Sequence, residues 1–180
     1  VTDNLKGMSF SNEGSINFNF RFQTNIMGMW IFQNVKKQLG GSFRELTEAA
    51  EKSEYTGTFD VNKKEFFAPD DMVKAIQNDF TERGITPPYT AGDICNSIFL
   101  SLAGSYNKTI RGIEEILGEK TEVIHIIGGG SQNKLLNSYT AKLAKVKVMA
   151  GPVEATAIGN VSAQLVALNL VENFSETKKM

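Results

Sequence analysis

The stretch that decides the fold is IHIIGGGSQNKLLN, residues 124–137. It begins with a short apolar run, typical of a buried β-strand, and continues through three consecutive glycines. A polar triplet follows, and then a helical pattern begins. A plain tight turn needs one glycine or two. Three together favour a ligand lying against bare backbone, because glycine has no Cβ to block its approach.

The position of this glycine turn also favours a ligand. In open α/β sheets, ligands bind outside the carboxyl ends of strands, where helix N-termini offer free N–H groups and a partial positive charge. Two common nucleotide motifs are absent, however. Asn133 takes the last glycine position of the Rossmann pattern G-x-G-x-x-G, and the P-loop pattern G-x-x-x-x-G-K-[ST] has no match. The residues alone leave both a nucleotide or phosphate site and a simple turn open.

Strand and helix alternate through the last third of the chain. Strands are predicted at 123–127 and 146–149, and helices at 131–144 and 153–169. This order predicts a parallel strand pair inside a layered α/β domain.

The second of these strands ends in a turn of the same kind. Gly151 turns the chain, Pro152 suits the first position of a helix, and Glu154 suits the helix dipole. Small side chains in the helix that follows predict close packing against a neighbour: Ala155, Ala157 and Gly159.

Four more helices are predicted upstream, at 25–39, 42–53, about 70–83 and about 90–118. Ser42 and Thr90 are candidate N-caps, the pair Asp70 and Asp71 suits a helix dipole, and Gly118 is a candidate C-cap. The long fourth helix carries an apolar stripe at helical spacing, which predicts core: Ile94, Ile98, Leu102, Tyr106, Ile110, Ile113 and Leu117.

The N-terminal region predicts one strand without a partner. SINFNFRF, residues 15–22, alternates apolar and polar side chains as a half-buried strand does. Residues 1–14 look irregular and start without Met, so we expect a fragment with upstream sequence missing. Residues 15–171 are then the domain, and residues 172–180 a flexible charged tail.

Composition excludes several classes of protein. The chain has 180 residues with a formal net charge of −1, which gives no electrostatic footprint for nucleic acid. No apolar stretch approaches the roughly 20 residues of a membrane span. The single cysteine, Cys95, excludes an internal disulfide and fits a reducing cytoplasm. A metal cage needs more ligands than one cysteine and the single histidine, His125, offer, unless carboxylates supply the rest. We predict that both residues are buried in the core.

Two amides on the first predicted helix are candidate ligand groups. Asn25, Met29 and Gln33 fall within about 80° of arc, and Asn25 and Gln33 are then about 12 Å apart. Amides supply both donors and acceptors, as a neutral base or a ribose requires. From the pattern alone, solvent exposure is the favoured explanation for them.

Three segments together resemble the FGGY carbohydrate kinases, and within that family the rhamnulokinases. They are NIMGMWIFQ at 25–33, the glycine stretch at 124–137, and VMAGPVEATAIGNVSAQLVALN at 148–169, with SNEGS at 11–15 in support. The resemblance implies two domains of the actin-like ATPase, ribonuclease H-like type, with the active site in the cleft between them. This chain is then the C-terminal domain, an α/β fold with a mixed sheet and helices on both faces.

The resemblance also implies an activity, the phosphorylation of L-rhamnulose on its 1-hydroxyl by ATP with Mg²⁺. Matching positions imply that the nucleotide is contacted by Asn25, Gln33, Gly129, Gly130 and Asn133. The sugar-binding residues and the catalytic aspartate belong to the N-terminal domain of such kinases, so no catalytic or metal-ligating residue is assigned here. A terminal strand from the absent part would also pair with residues 16–22.

Alternatives remain on the same residues. A kinase for fuculose, xylulose or glycerol would share the ATP pocket and differ in the absent sugar site. A free-standing nucleotide-binding domain without chemistry would carry the same glycine turn. Whether the kinase acts on L-rhamnulose or on one of these other substrates, we expect the 180-residue chain alone to be inactive.

Overall fold

The computed structural model describes residues 10–15 and 18–177. Its strands are β1 Ser11–Gly14, β2 Phe20–Gln23, β3 Val123–Ile126 and β4 Lys147–Ala150. Its helices are α1 Trp30–Leu39, α2 Phe43–Glu51, α3 Met72–Glu82, α4 Ala91–Leu117, α5 Lys134–Ala144, α6 Ala155–Ala167 and α7 Phe174–Thr177, with 3₁₀ turns at Lys64–Phe66 and Gly129–Gln132. Within these residues, no helix is both long and apolar enough to cross a bilayer.

Helix α4 lies at the centre of the fold and packs against both α2 and α5. It begins where the Thr90 hydroxyl accepts a hydrogen bond from the Asp93 N–H, and it ends at Gly118 in the left-handed conformation. Both caps were predicted. The apolar stripe is core at its start, where Ile98 is fully buried, but Leu117 is 57% exposed because the last turn of the helix extends beyond the core.

Polar side chains of α4 hold an irregular segment against the core. Residues 55–60 form no strand, so their buried backbone groups need other partners. The Asn96 amide donates to the Tyr55 carbonyl at 2.8 Å, and the Ser97 hydroxyl donates to the Gly57 carbonyl at 2.8 Å. The Phe59 N–H donates to the Ser101 hydroxyl at 3.0 Å. The polar face of α4 therefore supplies the hydrogen-bond partners that a neighbouring strand would supply in a sheet.

The described strands form two separate pairs. β3 and β4 are parallel, with Ile126 beside Ala150, which confirms the predicted parallel pair. β1 and β2 are antiparallel, with Ser11 beside Gln23. The expected single mixed sheet with helices on both faces is not present in the described residues, because no described strand lies between the two pairs.

The N-terminal hairpin corrects two expectations. Residues 11–14, expected to be irregular, are the partner of the strand that we expected to be unpaired. That strand is not half-buried as predicted, since Phe18 is 99% and Phe20 is 74% exposed. Among the described residues, no layer packs over those two rings, whereas Phe22 stacks on Phe10 at 4.6 Å between ring centroids. Residues 16–17, part of the predicted strand, lie outside the described residues.

Helix α1 begins later than predicted, at Trp30 instead of residue 25. Gly28 has a φ of +60°, which a continuous right-handed helix excludes. Asn25 therefore lies in the segment before the helix. The prediction that Asn25 and Gln33 share one helical face was wrong.

The C-terminal elements differ from expectation in a similar way. Helix α6 begins at Ala155, so Pro152 precedes the helix and is not its first residue. Only Ser162 is buried on it, so the predicted close packing of its small residues is wrong for the described chain. Residues 174–177, expected in a flexible tail, form the short helix α7, and residues 178–180 lie outside the described part.

A buried carboxylate ties the end of α4 to the strand that leads to the glycine turn. Glu114 accepts a hydrogen bond from the Thr121 N–H at 2.8 Å and pairs with Arg111 and Lys120. The Thr121 N–H, followed by the Arg111 guanidinium, lowers the pKa of Glu114 to about 2. The Arg111 guanidinium also donates to the Ala144 carbonyl at the end of α5.

We predict that Glu114 makes stability depend on acid pH. A depressed pKa means that the ionised carboxylate stabilises the fold fully above its unfolded pKa of 4.5, and that this contribution is lost as the pH falls towards about 2. Urea unfolding at pH 7 and pH 3 should show a smaller loss of unfolding free energy for Glu114→Gln than for the unsubstituted chain. The control is Glu115→Gln, a substitution at the exposed neighbouring residue. Equal losses of unfolding free energy for Glu114→Gln and the unsubstituted chain would contradict the prediction.

Candidate functional site

The predicted site residues divide between two cavities on the described structure. The first, which we call the glycine-turn cavity, has a volume of about 1080 Å³ and is bounded by α1, α2, the glycine turn and α5. The second, the Asn25 cavity, has a volume of about 1070 Å³ and lies between residues 24–27, the irregular segment and α4. Both are slightly larger than the upper end of the usual range for small-molecule sites, about 1,000 Å³.

The glycine turn is shaped by its first residue. Gly128 has a φ of +77°, a conformation that favours glycine. The backbone N–H of Ser131 and its hydroxyl both donate to the Gly128 carbonyl, at 3.1 and 2.7 Å. Gly128 is therefore the residue that turns the chain after β3.

The turn after β4 is joined to the turn after β3 by main-chain hydrogen bonds. The Gly128 N–H donates to the Pro152 carbonyl at 3.1 Å, and the Gly151 N–H donates to the Ile126 carbonyl at 2.8 Å. The two turns lie side by side at the carboxyl edge of the parallel pair, which is where ligands bind in α/β folds.

Gly129 and Gly130 have no structural need to be glycine. Neither has a φ in the left-handed region, and a Cβ added at either would meet no atom within 4 Å. Both line the glycine-turn cavity. Their missing side chains leave space in the cavity and do not serve the fold, so these two glycines present bare backbone to whatever fills that space.

Asn133 joins the turn to α5 and keeps one polar group for a ligand. Its Oδ1 accepts a hydrogen bond from the Leu136 N–H at 2.9 Å, which caps the helix. No partner within the described chain takes its Nδ2, and Asn133 lines the cavity. The side chain can therefore act as a donor towards an acceptor atom of a ligand.

Gln33 lies across the cavity on α1, exposed, beside Met29 and Phe32. The structure thus brings four of the five predicted residues to one cavity: Gln33, Gly129, Gly130 and Asn133. Asn25 is separated from them and lines the other cavity, with Thr58, Ser101 and Lys108.

One wall of the glycine-turn cavity was missed by sequence reasoning. Helix α2 presents four polar side chains to it, at helical spacing: Arg44, Thr47, Glu48 and Glu51. Arg44 pairs with Glu48 at 2.7 Å. This spacing is visible in the sequence, but it is also the spacing of an ordinary solvated helix face.

Helix α5 opposes that acidic wall with two cations, Lys134 and Lys142, and with Tyr139. The Tyr139 hydroxyl donates to Asn96 Oδ1 on α4 at 2.8 Å. Burial, and then the Glu51 carboxylate, raise the pKa of Tyr139. The cavity therefore carries carboxylates on one wall and ammonium groups on the other.

Other candidate residues lie away from both cavities. His125 is exposed on β3, so its prediction as a core residue was wrong, since the narrow two-stranded pair leaves that face uncovered. Cys95 is buried as predicted, and burial raises the pKa of its thiol to about 12. Asp71 caps α3 by accepting from the Lys74 N–H at 2.8 Å. Across the described ranges, no three His, Cys, Asp or Glu side chains are grouped as metal ligands.

Comparison with known proteins gives one consistent result. The model of the FGGY family of carbohydrate kinases, C-terminal domain, matches residues 1–168. The rhamnulokinase of Halalkalibacterium halodurans is 40% identical over 174 residues, which cover 96% of this chain and 37% of that protein. The rhamnulokinase of Bacillus subtilis is 38% identical over 183 residues, covering 100% of this chain and 38% of that protein. The chain thus spans well under half the length of the curated relatives that it matches.

We predict that the three glycines differ in their effect on folding. Gly128→Ala should lower the free energy of unfolding by about 1–2 kcal/mol, because alanine is strained at a left-handed φ. Gly129→Ala and Gly130→Ala should change it by less than about 0.5 kcal/mol, because an added methyl meets open space. Urea unfolding of the three variants measures this, and equal destabilisation at all three positions would show that the whole turn is structural.

Proposed function

The chain belongs to the FGGY family of carbohydrate kinases, whose C-terminal domain it matches over residues 1–168, and on that premise we propose that it is the ATP-binding part of a sugar kinase. That domain is of the actin-like ATPase type. The observation that carries the proposal is the open space at Gly129 and Gly130, in a cavity shared with Gln33 and Asn133.

The groups around this cavity suit an adenine nucleotide. The Gln33 amide offers a donor and an acceptor, as the edge of a base requires, and Asn133 offers a donor. Bare backbone at the turn admits close approach of the ligand. The ammonium groups of Lys134 and Lys142 on the α5 wall are complementary to the charge of a phosphorylated ligand.

The substrate that we propose is L-rhamnulose, phosphorylated on its 1-hydroxyl. The support is that the relatives reported above carry the name rhamnulokinase. The proton acceptor for the sugar hydroxyl would come from polypeptide that those relatives carry beyond the matched part, so no catalytic residue is proposed in this chain.

Phosphoryl transfer depends on positioning and on stabilisation of charge, which Mg²⁺ supplies when it is bound to the nucleotide phosphates. No three His, Cys, Asp or Glu side chains are grouped among the described residues, and we derive no step through the metal. The proposed task of this chain is to hold the nucleotide and to form one wall of the cleft. Closure of the cleft would exclude water that otherwise hydrolyses ATP.

We predict different kinetic effects at the two amides. Gln33→Ala should raise the KM for ATP about tenfold with little change in the KM for the sugar, since a charge-neutral hydrogen bond to the nucleotide is lost. Asn25→Ala should raise the KM for ATP less than twofold, because Asn25 lies in the other cavity. Steady-state kinetics on the protein expressed from its native reading frame measure both. ATP kinetics unchanged by Gln33→Ala would remove this residue from the pocket.

We predict that the 180-residue chain alone does not phosphorylate L-rhamnulose. The reason is the proposed location of the proton acceptor outside it. A coupled assay that follows ADP release, with fuculose, xylulose and glycerol in parallel, measures this. Turnover by the purified chain would contradict the division of labour proposed here, while turnover by the native reading-frame product on another sugar alone would contradict the substrate.

A further inference from the structure

We propose that Asn137 is a positioning residue, which holds the glycine turn in the shape that receives the nucleotide. The proposal rests on the function proposed above. Asn137 lies on α5, on the turn of helix after Asn133, and it does not itself line the glycine-turn cavity. Its effect on a ligand would therefore be transmitted through the residues that it contacts.

Two hydrogen bonds link Asn137 to the residue that turns the chain. Asn137 Nδ2 donates to the Ser131 carbonyl at 2.8 Å, and the Ser131 hydroxyl donates to the Gly128 carbonyl at 2.7 Å. Ser131 is buried, with 6% of its surface exposed. These hydrogen bonds thus connect helix α5, through the buried residue Ser131, to Gly128 at the start of the turn.

The two glycines that face the cavity lie between Gly128 and Ser131. Gly129 and Gly130 have no side chains, and no atom lies within 4 Å of where their Cβ atoms would be. The Gly130 carbonyl accepts a hydrogen bond from the Asn133 N–H at 3.2 Å, and the position of the two glycines depends on this bond together with the anchors at Gly128 and Ser131. Binding sites need such support, because a small displacement of a ligand-contacting group weakens binding.

The other end of the Asn137 side chain indicates that the residue is not there for stability alone. Its Oδ1 is buried and has no hydrogen-bond partner in the part of the chain that the structure describes. A buried polar atom without a partner costs free energy. An apolar side chain of similar size would avoid that cost, so the advantage of an amide here lies in the bond from Nδ2 to Ser131.

Two substitutions separate positioning from stability. Asn137→Leu removes the donor together with the unpaired oxygen, whereas Asn137→Asp removes the donor and turns a carboxylate towards the Ser131 carbonyl. Both should raise the Kd for ATP about five- to tenfold, the loss expected for one hydrogen bond. Asn137→Asp should also lower the Tm, whereas Asn137→Leu should lower it less, because removal of the unpaired oxygen offsets part of the cost of leaving the Ser131 carbonyl without its donor. The kcat at saturating ATP should stay within twofold for Asn137→Leu.

The matched control is Thr140→Val on the same helix. Thr140 is buried, and its hydroxyl donates to the Leu136 carbonyl at 2.8 Å, without contact to the glycine turn. Titration calorimetry with ATP and thermal unfolding are measured on the protein expressed from its native reading frame. The proposal is supported if Asn137→Leu loses ATP affinity while Thr140→Val keeps it. It is overturned if Asn137→Leu binds within twofold of the unsubstituted protein, or if Thr140→Val loses as much. Absence of saturable ATP binding by the unsubstituted protein would overturn the proposed function as well.

Discussion

The fold depends on the hydrogen bonds between the polar face of α4 and the irregular segment beside it. That segment has no strand partner, so the partly buried carbonyls of Tyr55 and Gly57 would lose their hydrogen-bond partners without Asn96 and Ser97. Once held, it places Phe59 and Val61 in the core. The same Asn96 accepts from Tyr139 on α5, so the helix that organises the core also positions one wall of the glycine-turn cavity.

Features governed by neighbouring residues could be predicted from the sequence. Ser42 forms a full capping box with Glu45, Thr90 caps α4, and Gly118 ends α4 in the left-handed conformation, while Asp71, expected only as a helix-dipole partner, is the N-cap of α3. Each depends on residues within one turn of helix. Features that depend on distant residues were not predictable. The partner of β2 lies in a strand with no alternation, and the exposure of α6 and His125 depends on what packs over them.

The predictions about the candidate site also depended on whether a feature is set by neighbouring or by distant residues. The glycine turn and Gln33 line the same cavity, and each belongs to a locally determined element, whereas their contact with a nucleotide stays a prediction. Asn25 was grouped with Gln33 by assuming a continuous helix, and the left-handed Gly28 breaks that assumption. The α2 wall was missed because polar residues at helical spacing look the same whether they face water or a ligand.

The hydrogen bonds that join the two turns have a consequence for how this site can vary. They run only between main-chain atoms, from Gly128 to Pro152 and from Gly151 to Ile126. A change of side chain at Ile126 leaves its carbonyl acceptor in place. An insertion or deletion of a single residue in either turn would instead move a donor away from its acceptor and open both links together. The two turns at the edge of the cavity are thus constrained in their number of residues more than in residue type. Related sequences should therefore differ here by substitution and keep the number of residues.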